Sequence, residues 1–169
     1  QSEADDPLSI VLNSWLQEQE SRHEHIIYVA DPEWNHWTRR CVAQADRIVL
    51  VGSADGDPAI GPLESHGKSH ATQTLILLHP AGTQEPSGTM RWLEPREVAN
   101  HLPVRQNDER HWGTLVRYLT GRAVGMTLGG GSFRALAHAG VIRALSEVGQ
   151  PVDAIAGSGV GALIGGCWA

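Results

Sequence analysis

Two glycine-rich turns near the carboxyl end limit what this chain can fold into more than any other feature. The first turn, residues 129–131, follows the apolar run Ala123–Leu128. The second turn, residues 157–161, follows the apolar run Val152–Ala156. The intervening residues 133–148 carry apolar side chains at helical spacing, so the pattern is strand, turn, helix, strand, turn. A helix that crosses between the two strands makes them parallel and brings both turns to one edge of a sheet, and such a unit is expected to be right-handed.

The helix predicted for residues 133–148 is amphipathic and ends at Gly149. Its polar face carries Arg134, His138 and Glu147. We expect the opposite face to pack across the two strands. The apolar residues of that face are Ala137, Val141, Ala144, Leu145 and Val148.

The preceding part of the chain alternates predicted helices with buried strands. Its strands are continuous Ile, Val and Leu runs, which indicates burial on both faces, as in a parallel sheet covered by helices. The fold class is therefore α/β, a parallel sheet in a three-layer α/β/α arrangement. The predicted strands are His25–Ala30, Arg47–Gly52 and Gln73–His79. The predicted helices are Pro7–Arg22, Glu33–Ala45 and one that Asn107 caps and that runs to Thr120, with a loop at 80–88 and short elements at Met90–Leu93 and Arg96–His101.

Gly121 stops the last of these helices and marks the expected domain boundary. Residues 1–121 are expected to form an α/β region, and residues 122–169 the beginning of a second domain. Because the chain begins without Met and ends in the apolar stretch Cys167–Ala169, we expect it to be a piece of a longer protein.

Charge and composition exclude several classes of function. Thirteen basic against nineteen acidic side chains give a net charge of -6, which argues against a nucleic-acid partner. The apolar runs, such as Leu75–Leu78, are far too short to span a membrane, and no signal peptide is visible. Cys41 and Cys167 fit no metal-ligand spacing, which favours buried thiols in a reducing compartment. No metal and no cofactor are predicted.

Closely spaced backbone N–H groups at the start of a helix stabilise negative charge, either a phosphate or the oxyanion of acyl transfer. The first turn does not complete the dinucleotide fingerprint G-x-G-x-x-G, since Arg134 occupies the place of the third glycine. The string GPLESHGKS at 61–69 is similar to a P-loop, but it has five residues between its glycines and no strand just before it. Both phosphate interpretations are therefore disfavoured.

The second turn has the shape of a nucleophile elbow, G-x-S-x-G, in which small residues on both sides permit a sharp bend. Gly157 and Gly161 fill the small positions, but the central residue is Gly159. A frame centred on Ser158 would put the β-branched Val160 at a small position, which fits poorly. Either turn alone could be only a bend that glycine permits. Together at one sheet edge, they favour an oxyanion loop with an elbow.

Residues 124–145 (VGMTLGGGSFRALAHAGVIRAL) and 151–157 (PVDAIAG) closely resemble the start of a patatin-like phospholipase domain, whose motifs are GGGGARG, AHIGVL and GTSIGA. Further upstream, the chain resembles the region before the catalytic domain in the neuropathy target esterase branch of that family. The upstream segments are WTRRCVAQADRIVLVG (37–52), LILLHP (75–80) and LTGRAVG (119–125).

The resemblance implies a serine esterase that acts on phospholipids or lysophospholipids through a Ser–Asp dyad. It implies a cytoplasmic protein in peripheral contact with a membrane. It places Gly130 and Gly131 in the oxyanion loop, with Arg134 beside them. The family's nucleophilic serine falls on Gly159, and the threonine before it falls on Ser158.

Three parts of the family's machinery are altered or missing. Glycine at 159 preserves the elbow conformation but cannot react. In the oxyanion loop Ser132, Phe133 and Ala135 depart from the family pattern, and strain is expected if Ala135 must adopt a positive φ. The dyad aspartate, expected in a D-G-G or D-G-A motif, is not reached before the chain ends. His138 matches a family histidine, for which a structural role is expected.

Two main hypotheses follow. In the first, the chain is a fragment or an inactive form of a patatin-family esterase. In the second, it is a non-catalytic regulatory module that binds an anion, a nucleotide or a phospholipid. A third possibility is a structural segment that binds other domains of the parent protein.

Overall fold

A computed structural model of the chain describes residues 7–66 and 71–168, so the string at 61–69 lies partly outside the described residues. The described residues form two compact units, the chain up to Leu78 with Glu85–Leu102, and His79–Gln84 with the chain from Pro103 onward. The domain boundary expected after Gly121 stays a prediction. The elements are α1 (Pro7–Arg22), α2 (His36–Gln44), β1 (Arg47–Ser53), α3 (Pro62–His66), β2 (Thr72–His79), α4 (Thr89–Leu93), β3 (Asn100–Arg105), α5 (Glu109–Leu119), β4 (Gly125–Leu128), a 3₁₀ helix (Ser132–Leu136), α6 (Ala137–Glu147), β5 (Ala154–Gly157) and α7 (Val160–Trp168).

The larger sheet has the strand order β1–β2–β3. All seven residues of β1 pair with β2 in parallel. The Ala99 N–H, just before β3, donates to the Gln73 carbonyl oxygen at 3.0 Å. The Gln106 N–H, just after β3, donates to the His79 carbonyl oxygen at 3.1 Å, so β3 also runs parallel to β2. Parallel strands flanked by helices confirm the predicted α/β class.

The centre of this sheet is β2, and β1 is an edge strand. Leu75 and Leu77 of β2 are fully buried and pack with Trp92 of α4. Along β1, in contrast, half-buried residues alternate with exposed ones. The prediction that these strands are buried on both faces is therefore confirmed for most of β2 and wrong for β1. Among the described residues β1 pairs on one side only, and alternation is typical of a strand with one face exposed.

The strand predicted at His25–Ala30 is wrong, because this segment is an irregular connection. Ile27 is 86% exposed. The Trp37 indole N–H donates to the Val29 carbonyl oxygen at 2.9 Å, so a side chain rather than a neighbouring strand binds the segment. High β propensity produces a strand only where a partner strand and a packing surface are available, and propensity alone does not reveal either.

Capping side chains decide where two helices begin. Asp108, and not the predicted Asn107, caps α5, and its carboxylate accepts a hydrogen bond from the Arg110 N–H at 3.1 Å. Asn35 caps α2, which therefore begins after the predicted start at Glu33. In both cases a side-chain oxygen satisfies a backbone N–H that the first helical turn leaves unpaired.

A buried arginine closes the loop that follows β1. The Arg96 guanidinium donates to the Glu64 carboxylate through Nε at 2.7 Å and Nη2 at 2.8 Å. It also donates to the carbonyl oxygens of Pro58 at 2.6 Å and Ala59 at 3.1 Å, and it lies 5.0 Å from the centre of the Trp92 ring. Burial raises the pKa of Glu64, but the hydrogen bonds from Arg96 and from a backbone N–H outweigh it and lower that pKa overall.

A buried carboxylate joins α5 to the smaller sheet, in which β4 and β5 pair in parallel. Asp153, directly before β5, accepts from Arg117 Nη2 at 2.6 Å and Nε at 2.8 Å. It also accepts from the Thr114 hydroxyl at 2.8 Å and the Val124 N–H at 2.9 Å. The Asp153 side chain is 3% exposed, and its hydrogen bonds, those from Arg117 foremost, lower its pKa to about 2.

The buried face of α6 and the 3₁₀ helix before it differs from the predicted one. Of the five residues assigned to the apolar face only Leu145 is half-buried. The exposed ones are Ala137, Val141, Ala144 and Val148. Apolar residues lie on both faces of α6, so their spacing alone does not show which face packs. The buried and half-buried residues are Ala135, His138, Ile142 and Leu145.

Candidate active site

The bend from β5 into α7 requires glycine on both sides of its centre. A Cβ atom on Gly157 would lie 2.7 Å from the Ala162 Cα. A Cβ atom on Gly161 would overlap the Leu128 carbonyl oxygen and lie 2.6 Å from that of Gly129. Real Cβ atoms do not tolerate these distances. Gly157 therefore permits the close approach of α7 to β5, and Gly161 permits that of α7 to the end of β4.

The centre of the bend is open and has the conformation that the elbow requires. Gly159 has φ +52°, in the left-handed region. A Cβ atom built on it would find the Gly130 Cα at 3.7 Å as its only neighbour within 4 Å among the described residues. Position 159 therefore has space for a side chain directed at the first turn, and a left-handed backbone conformation that glycine adopts without strain.

The two turns meet at one edge of the smaller sheet, as the sequence pattern predicts. Leu128 pairs with Gly157, and the Ser158 N–H donates to the Leu128 carbonyl oxygen at 3.0 Å. The Gly130 N–H donates to the Ser158 hydroxyl oxygen at 3.2 Å. The structure thus brings together Gly130, Ser158 and Gly159, three of the residues predicted for the site.

His138 fixes the position of the first turn. Its Nε2 donates to the Gly129 carbonyl oxygen at 2.9 Å across the start of the helix. This hydrogen bond fits the structural role expected for His138. Because the Gly129 carbonyl group and the Gly130 N–H belong to one planar peptide unit, this hydrogen bond also orients the Gly130 N–H.

Strain in the first turn lies at Ser132 and not at Ala135. Gly131 has φ +152° and Ser132 has φ +52°. Ala135 is in the 3₁₀ helix and is buried. The conditional expectation of strain at Ala135 is therefore not met, because the chain adopts its positive φ values at Gly131 and Ser132 instead.

The side chain of Arg134 is exposed, and only its backbone joins the turn. The Arg134 N–H donates to the Gly131 carbonyl oxygen at 3.2 Å. Among residues 7–66 and 71–168, no hydrogen bond of its guanidinium is found. Arg134 thus follows the first turn along the chain, as predicted, without a contact to Gly159.

Asp153 is the polar residue that sequence reasoning missed. It lies just before β5, in the string PVDAIAG, and its four hydrogen bonds set where that strand begins. The available signal was a lone aspartate in an otherwise apolar stretch, which needs a partner when buried. Sequence spacing could not identify Arg117 as that partner.

Within the part of the chain that the structure describes, no group of three His, Cys, Asp or Glu residues could hold a metal ion. None of the described helices is long and apolar enough to cross a membrane. At the two turns the site offers backbone N–H groups and one hydroxyl, which can stabilise negative charge.

Two protein-family models match this chain, each over a different segment. The model of the patatin-like phospholipase family matches residues 126–169. The model described as the Neuropathy Target Esterase family P-loop like domain matches residues 6–123. The chain belongs to the neuropathy target esterase branch of the patatin-like phospholipases, which confirms the resemblance of its motifs.

Similar curated proteins agree. The chain is 37% identical to patatin-like phospholipase domain-containing protein 7 of Rattus norvegicus over 94% of its own length and 14% of that protein's. It is 34% identical to patatin-like phospholipase domain-containing protein 6 of Homo sapiens, with the same coverage. It is 35% identical to neuropathy target esterase sws of Drosophila melanogaster, over 93% of its own length and 13% of that protein's. The chain thus spans about one seventh of these relatives. No solved structure matches it.

The family model that matches residues 6–123 is named P-loop like, but the loop after β1 does not have the features of a phosphate-binding loop. Residues 54–61 contain Asp55 and Asp57 and no basic residue. Arg96 holds the carbonyl oxygens of Pro58 and Ala59 in this loop. Acidic side chains and carbonyl groups already bound by the protein itself do not suit an anion.

Proposed function

We propose that this chain carries the oxyanion loop and the nucleophile elbow of a patatin-like phospholipase in a form that does not hydrolyse esters. Gly159 carries the proposal: it has φ +52° between two sterically required glycines, and its missing side chain would point at Gly130. The elbow is complete except for the reacting atom. Loss of the serine nucleophile in a comparable hydrolase costs on the order of a million-fold in turnover.

In this proposal the N–H groups of Gly130 and Gly131 form the oxyanion donors, with Arg134 beside them. An active relative would place a serine oxygen opposite these donors, so that the ester carbonyl lies between them. The substrate class is phospholipid or lysophospholipid, in keeping with the names of the relatives. Since such substrates are held in bilayers, we place the parent protein in peripheral contact with a membrane on the cytoplasmic side. We also place the boundary between the two domains after Gly121.

Ser158 does not replace the missing nucleophile. Its hydroxyl oxygen already accepts from the Gly130 N–H at 3.2 Å, so it occupies an oxyanion donor instead of attacking a carbon held there. The side chain at 158 also lies one residue before the centre of the bend. A non-catalytic role in binding an anion, a nucleotide or a phospholipid is the second candidate. It is favoured by the exposed Gly130 N–H, for which a ligand oxygen would replace the Ser158 hydroxyl.

A fluorophosphonate probe, which reacts covalently with activated serines, tests the proposal. We expect the intact mass of the 169-residue chain to stay unchanged after incubation, and the Ser158→Ala variant to behave identically. An active patatin-type hydrolase treated in parallel provides the positive control. An adduct on the chain that disappears in the Ser158→Ala variant would refute the inactive assignment and identify Ser158 as a nucleophile.

A further inference from the structure

A cavity of about 450 Å³ lies where β2 and β3 end, and it shares no residue with the two glycine turns. The carboxyl ends of parallel strands are where ligands bind in open α/β sheets. The volume falls within the range of small-molecule sites. The lining residues are Ala81, Gly82, Thr83, Gln84, Arg105, Asn107, Asp108 and Arg110.

One arginine of the cavity is built into its wall. Arg105 Nη2 donates to the Gln84 carbonyl oxygen at 2.6 Å, which fixes the loop after β2 to the end of β3. The Arg105 N–H donates to His111 Nδ1 at 3.0 Å. Arg105 Nε is buried and has no hydrogen-bond partner among the described residues. This guanidinium is therefore preorganised. Because Nε is inaccessible, a ligand reaches Arg105 through Nη1, which lies 3.9 Å from the Asp108 carboxylate.

The second arginine is exposed and can turn toward a ligand. The Arg110 side chain is 87% exposed, and its Nε and Nη2 each lie 3.2 Å from the Asp108 carboxylate. Asp108 also caps α5, so the helix N-terminus is already satisfied by the protein's own carboxylate. The binding capacity therefore rests on the two guanidinium groups and the loop, and not on the end of the helix.

The charges and polar groups of the cavity select the class of ligand. Two arginines face one aspartate, which leaves a local charge of +1 in a chain whose net charge is -6. Gly82 has φ +86° and allows close approach to the backbone, and the lining adds the Thr83 hydroxyl and the Asn107 amide. A cation finds one carboxylate that is already bound, and an apolar ligand finds a polar wall. Guanidinium pairs match the geometry of a phosphate group.

We propose that this cavity binds a phosphate ester, with its phosphate between Arg105 and Arg110 and its organic part against residues 81–84. The site goes beyond the proposed function, because it does not depend on the elbow or on Gly159. Asp108 Oδ2 pairs with both arginines, at 3.9 Å from Arg105 Nη1 and 3.2 Å from Arg110 Nη2, so the phosphate takes the place of that carboxylate on both. Arg105 supplies the fixed contact, and the exposed Arg110 side chain follows the phosphate. Three sources share this chemistry: a nucleotide, a phosphorylated small molecule and an anionic lipid headgroup.

A titration followed by NMR tests the site. The ¹⁵N-labelled 169-residue chain is titrated at constant ionic strength with inorganic phosphate, AMP and sn-glycerol 3-phosphate. We expect saturable shifts of the Gly82, Thr83 and Arg105 amide resonances with at least one ester. Arg110→Gln should weaken that binding roughly ten-fold or more, because a charge-assisted hydrogen bond is lost.

Arg143→Gln is the matched control. The Arg143 side chain is 81% exposed and pairs with Glu147 on a helix, so it is about as exposed as Arg110 but lies outside the cavity. Its loss should leave the binding constant unchanged. Equal weakening in both variants would mean nonspecific attraction by positive charge and would overturn the proposal.

Separate arms distinguish the sources of the phosphate. Binding of AMP alone assigns a nucleotide, and binding of sn-glycerol 3-phosphate assigns a small phosphorylated molecule. Co-sedimentation with phosphatidylcholine vesicles that contain phosphatidic acid, but not with pure phosphatidylcholine vesicles, assigns a headgroup if Arg110→Gln abolishes it. The proposal is overturned if no arm gives binding, if only inorganic phosphate binds, or if the shifts map to residues 129–131 or 157–161 instead.

Discussion

Replacing Asp153 with asparagine should remove the charge that joins α5 to β4 and β5. In the folded chain the pKa of Asp153 is about 2, against an ordinary value of 3.8. This difference corresponds to about 2 kcal/mol of stability at neutral pH, at roughly 1.4 kcal/mol for each unit. The new amide group would also direct an N–H toward Arg117 or Val124. We expect Asp153→Asn to lower the free energy of unfolding by about 2–3 kcal/mol at pH 7.

The pH dependence separates the charge from the packing. Because folding lowers the pKa of Asp153, its contribution is complete above the unfolded value of 3.8 and is lost as the pH falls toward 2. We therefore expect the difference in the free energy of unfolding between wild type and Asp153→Asn to shrink as the pH falls. Urea unfolding followed by circular dichroism at several pH values measures this difference. Between pH 6 and pH 3 it should shrink by roughly 1 kcal/mol.

Glu147→Gln is the matched control for this measurement. Its partner Arg143 is exposed, so breaking that pair should cost at most about 0.5 kcal/mol. A gap between wild type and Asp153→Asn that stays constant from pH 6 to pH 3 would refute the assigned pKa. A cost no larger than that of Glu147→Gln would refute the role of Asp153 as the joining residue.

Two further predictions concern the backbone of the turns, and thermal or urea unfolding checks both. Gly161→Ala should destabilise the chain by on the order of 3 kcal/mol, because the new Cβ would overlap a carbonyl oxygen. Gly166→Ala is the control: its Cβ would meet no described atom within 4 Å, so the change should be neutral or slightly stabilising. Similar effects of both changes would contradict the close approach of α7. Ser132→Gly should stabilise the chain by roughly 0.5–1 kcal/mol, since it removes a left-handed φ from a residue with a side chain. If Ser132→Gly lowers the stability instead, the serine side chain contributes more to stability than its positive φ costs.

Local patterns predict much of the fold, and long-range pairing sets the limits. The strands at Arg47 and Gln73 are predictable because their β-branched and apolar runs have high β propensity and pair with each other, although only the second is buried on both faces. His25–Ala30 has a similar composition, yet no strand pairs with it in the described residues. The strand β3 is not predicted, because Asn100–Arg105 includes a proline and polar residues and so has low β propensity. It forms a strand because it pairs with β2.

The glycine turns are the most predictable part of the site, because a sharp bend leaves few choices of residue. Gly157 and Gly161 follow from the motif, and the structure gives the steric reason for each. The hydrogen bond from Gly130 to Ser158 and the bonds of Asp153 could not be predicted. They depend on side-chain positions that are set only when two distant segments are brought together.

The crystal structure of the Gly159→Ser variant tests the central claim most directly, that the elbow lacks only its nucleophile. The account predicts that residue 159 keeps a positive φ near +52°, with its hydroxyl oxygen on the side of Gly130 and α7 unmoved. A residue 159 that leaves the left-handed region, or a serine side chain that points away from Gly130, would contradict it.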